Sequence, residues 1–194
     1  MSFQKSISKD ELMELPLSQY DGKVVIAASQ ESIQKALAEI NQFSVVGFDT
    51  EARPTFKKGQ IRHISLIQIA TDDKVYLLRI MQTGLMDCIV DFMEDPNIIK
   101  VGIGLDDDFN LLNRLRRFNK SGFLDLNIRF KEIGAENIGA RNLAGMMLGI
   151  RISKSAQTSN WEAEEYSDKQ ISYAATDAWI CLEIFRELQD LGFE

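Results

Sequence analysis

The sequence predicts an α/β fold in which helices flank a mixed β-sheet of five or six strands. Apolar runs typical of strands alternate along the chain with amphipathic segments typical of helices. Two consecutive strand-type runs are joined by Thr71, Asp72 and Asp73, a short polar turn that suits an antiparallel hairpin. The chain has 194 residues, which is within the usual length of one domain and enough to bury a sizeable core.

The first half of the chain predicts a polar arm followed by strands and one helix. Residues 1–22 form the N-terminal arm, and residues 23–194 form the folded domain. Ser29 is suited to cap a helix over 29–41, and Glu31 places negative charge in its first turn, where it is favoured. Strands are predicted at 23–28, 43–50, 61–70 and 74–78.

The second half alternates helices with two shorter strands. Asp95, Pro96 and Asn97 break the chain between a helix and the strand that follows it. A long helix with apolar positions at intervals of three and four ends the chain. Helices are predicted at 84–93, 107–118, 142–148 and 168–191, with strands at 99–104 and near 123–126.

Composition excludes several classes of protein. Apolar residues make up 45% and charged residues 26% of the chain, values that exclude collagen, a disordered chain and a disulfide-dense mini-protein. The formal charge of -7, taken alone, argues against broad electrostatic binding along nucleic acid. Because His63 is the single histidine, the sequence also argues against a histidine triad or a multi-histidine metal site, and we interpret this residue as structural.

Cysteine usage and hydropathy bear on location. Cys88 and Cys181 show no CxxC spacing, which indicates buried free thiols and a reducing compartment, so we expect a cytoplasmic protein. The first residues lack the apolar core of a signal peptide, and nowhere do 18 apolar residues follow one another. We therefore expect no association with a membrane.

Two carboxylates end an apolar run at VVGFDTE, residues 45–51. Side chains at i and i+2 of a strand project from the same face, so Asp49 and Glu51 point the same way, with Gly47 leaving space beneath them. Two carboxylates this close repel unless a cation lies between them or one stays protonated. The pattern leaves two interpretations open: a magnesium or manganese site, or the exit of the strand into a solvated loop.

The terminal helix carries an aspartate on its apolar face. Tyr173 and Asp177 begin a stripe that continues through Ile180, Ile184 and Leu188 at helical spacing. Burying an isolated aspartate costs several kcal/mol, so Asp177 needs a positive partner. That partner is either an arginine or a metal ion shared with the carboxylates of 45–51.

A third acidic feature is GIGLDDDF, residues 102–109, where a strand passes into a helix through three aspartates. Aspartates at a helix start are usually caps or dipole partners, which accounts for Asp106 and Asp107. The glycines also fit a phosphate-binding loop, but the lysine of a Walker A loop is missing. One of the three aspartates is free to supply a further carboxylate to the same cleft.

Together the three features resemble the DEDD superfamily of 3'-5' exonucleases. The motifs are FDTE at 48–51, GIGLDDDFNLL at 102–112 and YAATDA at 173–178, and HISLIQIA at 63–70 and SNW at 159–161 are also similar. The resemblance is to the tyrosine-containing branch, which includes ribonuclease D and the exonuclease domain of the Werner syndrome protein. The histidine branch would need histidine where this chain has Ser172.

The resemblance implies a ribonuclease H-like fold and a two-metal hydrolysis that releases nucleoside 5'-monophosphates. It implies that Asp49 bridges two Mg²⁺ or Mn²⁺ ions, that Glu51 and Asp177 ligate the ion that activates water, and that Asp108 anchors the second ion. It also implies that Tyr173 orients the attacking water. Such a cation pair lowers the pKa of water and neutralises charge on the attacking and leaving oxygens.

Basic residues indicate where a nucleic acid strand would run. Arg53, Lys57, Lys58 and Arg62 follow Glu51 directly and are expected to line the substrate backbone. Lys154 is a further candidate for phosphate binding. The basic stretch 114–120 ends a helix, where cations are favoured in any case. Trp161 could stack on a base or pack in the core.

The leading hypothesis is a metal-dependent 3'-5' exonuclease acting on single-stranded 3' ends of DNA or RNA. A second is a catalytically silent nucleic-acid-binding or scaffolding relative, and a third is an aspartyl phosphatase, which would require D-x-D where this chain has D-x-E. The sequence carries no appended helicase or polymerase segment, so we expect that a partner protein could supply targeting. It does not discriminate DNA from RNA, because both present the same phosphates.

Overall fold

A mixed sheet of six strands forms the centre of the protein. The computed structural model describes residues 4–54 and 62–193. Within them the strand order is β1-β4-β3-β2-β5-β6. The strands are β1 Lys23–Ala27, β2 Val45–Ala52, β3 Ile64–Ala70, β4 Lys74–Arg79, β5 Ile99–Gly102 and β6 Phe123–Asp125. The predicted α/β class with a sheet of five or six strands is confirmed.

The sheet is mixed because its middle strands run both ways. β3 is antiparallel to β2 and to β4, which confirms the hairpin at residues 71–73. β1 is parallel to β4, while β5 is parallel to β2 and to β6. β2 therefore lies inside the sheet between an antiparallel and a parallel neighbour, and its C-terminal half extends beyond β5, leaving an open edge beside Asp49 and Glu51.

Helices cover both faces of the sheet. Helices α2, α3 and α4 pack on one face against side chains that include Val46 and Phe48, and α5, α6 and α7 pack on the other. Because successive residues of a strand face opposite sides, the odd-numbered residues of β2 point towards α7. The helices are α1 Lys9–Glu14, α2 Gln30–Ile40, α3 Asp87–Glu94, α4 Asp106–Leu115, α5 Leu126–Glu132, α6 Ala140–Leu148 and α7 Asp168–Asp190.

Close contact between α7 and β2 depends on a glycine. A Cβ atom added at Gly47 would overlap the backbone carbonyl oxygen of Ala178. Glycine therefore lets the helix backbone lie directly on the strand. Small side chains at Ala174 and Ala178 keep the same approach close, and both are fully buried. This contact brings the N-terminal half of α7 beside the acidic end of β2.

The N-terminal segment is more ordered than its polar composition predicts. It contains α1, capped by Ser8 and Glu11, and it buries the apolar side chains of Ile7 and Leu12. Leu12 lies against Gly145 of α6, where an added Cβ would meet its side chain. The interpretation of residues 1–22 as a polar arm therefore missed a helix, because two apolar side chains are too weak a periodic signal. The short helix α5 was missed for the same reason.

Of the helices in the described part of the chain, none combines the length and the apolar character needed to cross a bilayer.

His63 is exposed, just before β3, and Trp161 is fully buried. Trp161 packs edge-on against Tyr166, with ring centroids 5.5 Å apart. The packing interpretation of Trp161 is therefore confirmed, and stacking on a nucleic acid base is excluded for a ring in this position.

Candidate metal centre

Three carboxylates meet where β2 lies against α7. Asp49 and Glu51 project from the same face of β2, as the strand period predicts, and Asp177 comes from α7. One oxygen of each lies within 4.8 Å of the others. Glu51 and Asp177 are nearly enclosed, with 9% and 8% of their surface exposed. Residues more than a hundred positions apart in sequence thus form one acidic cluster.

A fourth carboxylate, that of Asp108, lies beside this cluster. Thr50 points to the opposite face of β2 from Asp49, and its hydroxyl donates to the Asp108 carboxylate at 2.8 Å. Of the three consecutive aspartates, Asp106 and Asp107 are exposed, whereas Asp108 is half-buried and faces the sheet. The charge of Asp108 is felt by both Asp49 and Glu51. Of the three consecutive aspartates, Asp108 is therefore the one that acts on the cluster. Its carboxylate is not among the three whose oxygens lie within 4.8 Å of one another.

Burial and crowding favour the protonated forms of these groups. Burial, followed by the charges of Asp49 and Asp177, raises the pKa of Glu51 to about 10. Burial also raises the pKa of Asp177 to about 7 and that of Asp108 to about 6. The pKa of Asp49 is raised by burial and then by Asp177 and Asp108. A cation between the carboxylates would reverse these shifts, because it favours their charged forms.

Tyr173 lies one helical turn before Asp177, and the two side chains are close enough to act on each other's pKa. Burial, followed by the charges of Asp177 and Glu51, raises the pKa of Tyr173, so the hydroxyl keeps its proton and acts as a donor. The ring lies 6.0 Å, centroid to centroid, from the buried ring of Trp161. Tyr166 in turn donates to the carbonyl oxygen of Trp161 at 2.8 Å. Packing therefore holds the tyrosine hydroxyl at the acidic cluster.

The cluster opens into a cavity of about 770 Å³. Asp49, Glu51, Asp177 and Tyr173 all line it. Basic and amide side chains line it as well, namely Arg62, Arg141, Lys154, Asn127, Asn142 and Gln157. An acidic cluster in a cavity that also carries positive charge suits a ligand that combines a metal ion with phosphate groups.

The predicted nucleic-acid-binding residues divide into three groups. Arg62 and Lys154 line the cavity, where Arg62 lowers the pKa of Glu51 and Lys154 lowers that of Asp177, each against the larger effect of burial. Arg53 does not line it; its guanidinium is paired with Glu162 at 3.0 Å. Lys57 and Lys58 lie outside the described residues.

Arg141, Asn127 and Asn142 are among the cavity residues that sequence reasoning missed. Arg141 and Asn142 lie in the first turn of α6, two and three positions after Gly139. Asn127 lies in the first turn of α5, a helix that the sequence pattern did not predict. Polar residues at a helix start are common, so the available signal was weak.

The donor set fits a hard divalent cation. Asp49, Glu51 and Asp177 offer carboxylate oxygens only, which is the chemistry that Mg²⁺ and Mn²⁺ prefer. Buried carboxylates with raised pKa values and an open route to solvent also fit, because a bound cation would compensate their charge. In the described part of the chain, these residues can therefore hold a metal ion.

The comparisons with known proteins agree with this geometry. A family model described as 3'-5' exonuclease matches residues 24–192. The chain belongs to the 3'-5' exonuclease family. The chain is 27% identical to the exonuclease mut-7 homolog of Aedes aegypti over 87% of its own length, and 30% identical to the mouse bifunctional 3'-5' exonuclease/ATP-dependent helicase WRN over 97%. It spans 27% and 14% of the length of those two proteins.

A solved structure shows the same fold. The chain superposes on the crystal structure of the Aedes aegypti Nibbler EXO domain with a TM-score of 0.80, at 23% identity, covering 91% of this chain and 95% of that one. The similarity extends to the six-stranded sheet, which is ribonuclease H-like as the resemblance implied.

Proposed function

We propose that this chain is a metal-dependent 3'-5' exonuclease of the tyrosine-containing branch. It hydrolyses the terminal phosphodiester of DNA or RNA and releases nucleoside 5'-monophosphates. One observation carries the proposal: Asp49, Glu51 and Asp177 present three carboxylate oxygens within 4.8 Å of one another in an open cavity. Membership of the 3'-5' exonuclease family supports the reaction class.

In this proposal four carboxylates would hold two Mg²⁺ or Mn²⁺ ions. Asp49 would be shared by both ions, Glu51 and Asp177 would hold one of them, and Asp108 would hold the other. When bound, the ions lower the pKa of a water molecule and offset the charge that develops on the phosphoryl oxygens. Asp108 also accepts a hydrogen bond from Thr50, which fixes the rotamer of its side chain.

Tyr173 acts as a hydrogen-bond donor in the proposed site. Its raised pKa keeps the hydroxyl protonated at neutral pH, so it is unsuited to act as a base. It lies beside Asp177, where it lowers the pKa of that carboxylate, and the packed ring of Trp161 restricts where the tyrosine can turn. From that position the hydroxyl can orient the attacking water against the terminal phosphate.

The substrate we propose is a single-stranded 3' end of DNA or RNA. Arg62 and Lys154 bring positive charge to the cavity, whereas the whole chain carries a net charge of -7. Attraction is therefore local to the cleft, and binding along a duplex is weak. A partner protein could supply targeting to a particular end.

The proposal is tested by incubating 5'-labelled single-stranded DNA and RNA with the protein and Mg²⁺ or Mn²⁺. The wild type should release 5'-mononucleotides one at a time and shorten the labelled strand from its 3' end. Asp49→Asn should abolish this release. Asp106→Asn is the matched control, since Asp106 is an exposed aspartate that does not line the cavity, and it should retain near wild-type rates. If wild type and Asp49→Asn are equally inert on every strand, the chain is a silent relative.

A further inference from the structure

The cavity contains an arginine that has no hydrogen-bond or ion-pair partner among residues 4–54 and 62–193. Arg141 is half-buried and lines the cavity together with the acidic cluster. Its Nε atom is buried and has no hydrogen-bond acceptor within the described residues, and its guanidinium takes part in none of the ion pairs found there. Six of the nine other arginines are held by carboxylate or carbonyl oxygens, namely Arg53, Arg79, Arg116, Arg129, Arg151 and Arg186. Arg62, which lines the same cavity, and Arg114 and Arg117 share with Arg141 the lack of such a partner among the described residues.

An unpaired guanidinium in such a position indicates an external anion. Removing an arginine from water without a partner is costly, and a ligand that restores its hydrogen bonds recovers that cost. The planar fork of the guanidinium matches two oxygens of a phosphate. Arg62 and Lys154 act on the pKa values of the acidic cluster, but Arg141 is not among the groups that shift them in the described structure.

Hydrogen bonds connect the start of the helix that carries Asp108 to the start of the helix that carries Arg141. The Asp125 carboxylate accepts from the backbone N–H groups of Gly104 and Leu105, just before α4, and from that of Asn127 at 2.8 Å. The side-chain oxygen of Asn127 then accepts from the N–H of Gly139 at 2.8 Å, at the start of α6. The helix that carries Asp108 and the helix that carries Arg141 are thus held to one another at their first turns.

We propose that Arg141 binds a backbone phosphate of the nucleic acid strand, upstream of the terminal phosphodiester that lies at Asp49, Glu51 and Asp177. The inference rests on the proposed function, since it assumes that a strand occupies the cavity. It assigns Arg141 to holding the strand and leaves the reacting phosphate to the acidic cluster. Because its helix is held in position before the strand arrives, little ordering of the protein is needed on binding.

The first test measures strand binding without cleavage. In an Asp49→Asn background, the affinity for a 5'-fluorescein-labelled single strand of ten nucleotides is followed by fluorescence anisotropy between 50 and 300 mM salt. Arg141→Gln should raise Kd about 10-fold near 0.1 M salt and reduce the slope of log K against log salt by about 0.7. Arg141→Lys should keep most of the slope, because it keeps the charge.

Arg186→Gln is the matched control for the loss of one positive charge. Arg186 lies nine residues beyond Asp177 on α7, about 14 Å along the helix axis, and does not line the cavity. The Kd of Arg186→Gln should stay within twofold of the Kd of the parent, and melting curves should show that all variants are folded. If Arg141→Gln binds like Arg186→Gln, or if the parent binds no strand even at low salt, the proposal is wrong.

The second test identifies the phosphate. Strands that carry one neutral methylphosphonate, moved linkage by linkage from the 3' end, are bound by the parent and by Arg141→Gln. Arg141→Gln and the methylphosphonate should each weaken binding. At the linkage that Arg141 contacts, the two losses of binding free energy should not add, whereas at other linkages they should. Coupling at a linkage upstream of the terminal one supports the proposal, and coupling only at the terminal linkage, or at none, overturns it.

The two proposals can fail separately. If the wild type releases no nucleotide but coupling at an upstream linkage persists, the chain binds strands at Arg141 without the proposed activity. If mononucleotides are released but no upstream coupling is found, the exonuclease function holds and the assignment of Arg141 is wrong.

Discussion

Neighbouring strands bury charge in two different ways. On β2, Glu51 is buried beside Asp49 and Asp177, and the group opens to a cavity. On β5, Lys100 is fully buried, and its ammonium donates to the carbonyl oxygens of Phe92 at 3.1 Å and Asp95 at 2.6 Å. The lysine also lies over the rings of Phe92 and Phe123, at 5.3 and 5.0 Å from their centroids.

Both sites disfavour charge, but only one can accept a ligand. Burial lowers the pKa of Lys100 to about 8 and raises that of Glu51 to about 10. The lysine is satisfied by carbonyl oxygens at the C-terminal end of α3, so it ties that helix to β5 and has a structural role. The acidic cluster is short of positive charge and faces an open cavity, which is the arrangement of a functional site.

The largest expected effect comes from removing one carboxylate of the acidic cluster. Asp177→Asn should lower nuclease turnover by about 10³-fold or more, equivalent to about 4 kcal/mol, because an amide is a poorer ligand for a divalent cation. Affinity for Mn²⁺, measured by isothermal titration calorimetry, should fall in parallel. Asp168→Asn, at an exposed position in the first turn of the same helix, should change neither. Unchanged Mn²⁺ affinity in Asp177→Asn would contradict the assigned ligand set.

Removing the buried lysine should instead affect stability. Lys100→Met should lower the free energy of unfolding by about 2 to 4 kcal/mol, because the carbonyl oxygens of Phe92 and Asp95 lose their donor. Urea denaturation measures the change, with Lys131→Met as the control at an exposed position of α5. Nuclease turnover per folded molecule should remain near that of the wild type. A large loss of turnover at full stability would show that the two sites are not separate.

Removing the tyrosine hydroxyl should reduce the rate while leaving metal binding intact. Tyr173→Phe should lower turnover by about 30-fold, close to 2 kcal/mol, because the water loses its orienting donor while the carboxylates remain. Mn²⁺ affinity should stay within threefold of the wild type. Tyr76→Phe is the control: it removes a hydroxyl that donates to Glu39 at 2.8 Å and does not line the cavity. Equal effects of the two substitutions on turnover would contradict a specific role for Tyr173.

The smallest effect concerns stability without metal. The pKa of Glu51 is about 10 when folded against 4.5 for an ordinary glutamate, so between these values the folded chain holds a proton that the unfolded chain has released. In EDTA the free energy of unfolding should therefore fall as the pH rises from 5 to 9. Glu51→Gln should make the free energy of unfolding less dependent on pH. At pH 8 the free energy of unfolding of this variant should exceed that of the wild type by on the order of 1 kcal/mol.

Urea denaturation at several pH values measures this, with Glu187→Gln, an exposed position of α7, as the control. Below pH 4 the wild type and Glu51→Gln should converge, because both states of the wild type then hold the proton. Added Mn²⁺ should stabilise the wild type more than Glu51→Gln through preferential binding to the folded state. A wild type whose stability in EDTA is independent of pH would contradict the buried, crowded state of the cluster.

Local patterns predicted much of the fold and of the site. The alternation of β2 predicted that Asp49 and Glu51 share a face, and the period of α7 predicted that Tyr173 and Asp177 do so too. Short or weakly apolar elements such as α1 and α5 escaped prediction, since a few residues do not establish a period.

Charge pairing was harder to predict than secondary structure. Arg53 follows Glu51 closely in sequence, yet it pairs with Glu162, which lies 109 positions away. Arg141 attracted no attention in the sequence but lies in the cavity. A long basic side chain reaches several ångströms from its backbone, so its partner depends on which segments pack nearby.

By itself, the sequence determined which residues share a strand face or a helix face, because those periods are properties of the local backbone. It also determined the family, through three acidic motifs in a fixed order. Only the tertiary structure decided that the face of α7 bearing Asp177 meets the end of β2, through the close approach at Gly47. Likewise, only the packing of α4 against the sheet brings Asp108, which the resemblance had already singled out, within hydrogen-bond distance of Thr50 on β2. Such contacts join segments distant in sequence, and their geometry follows from how whole elements pack.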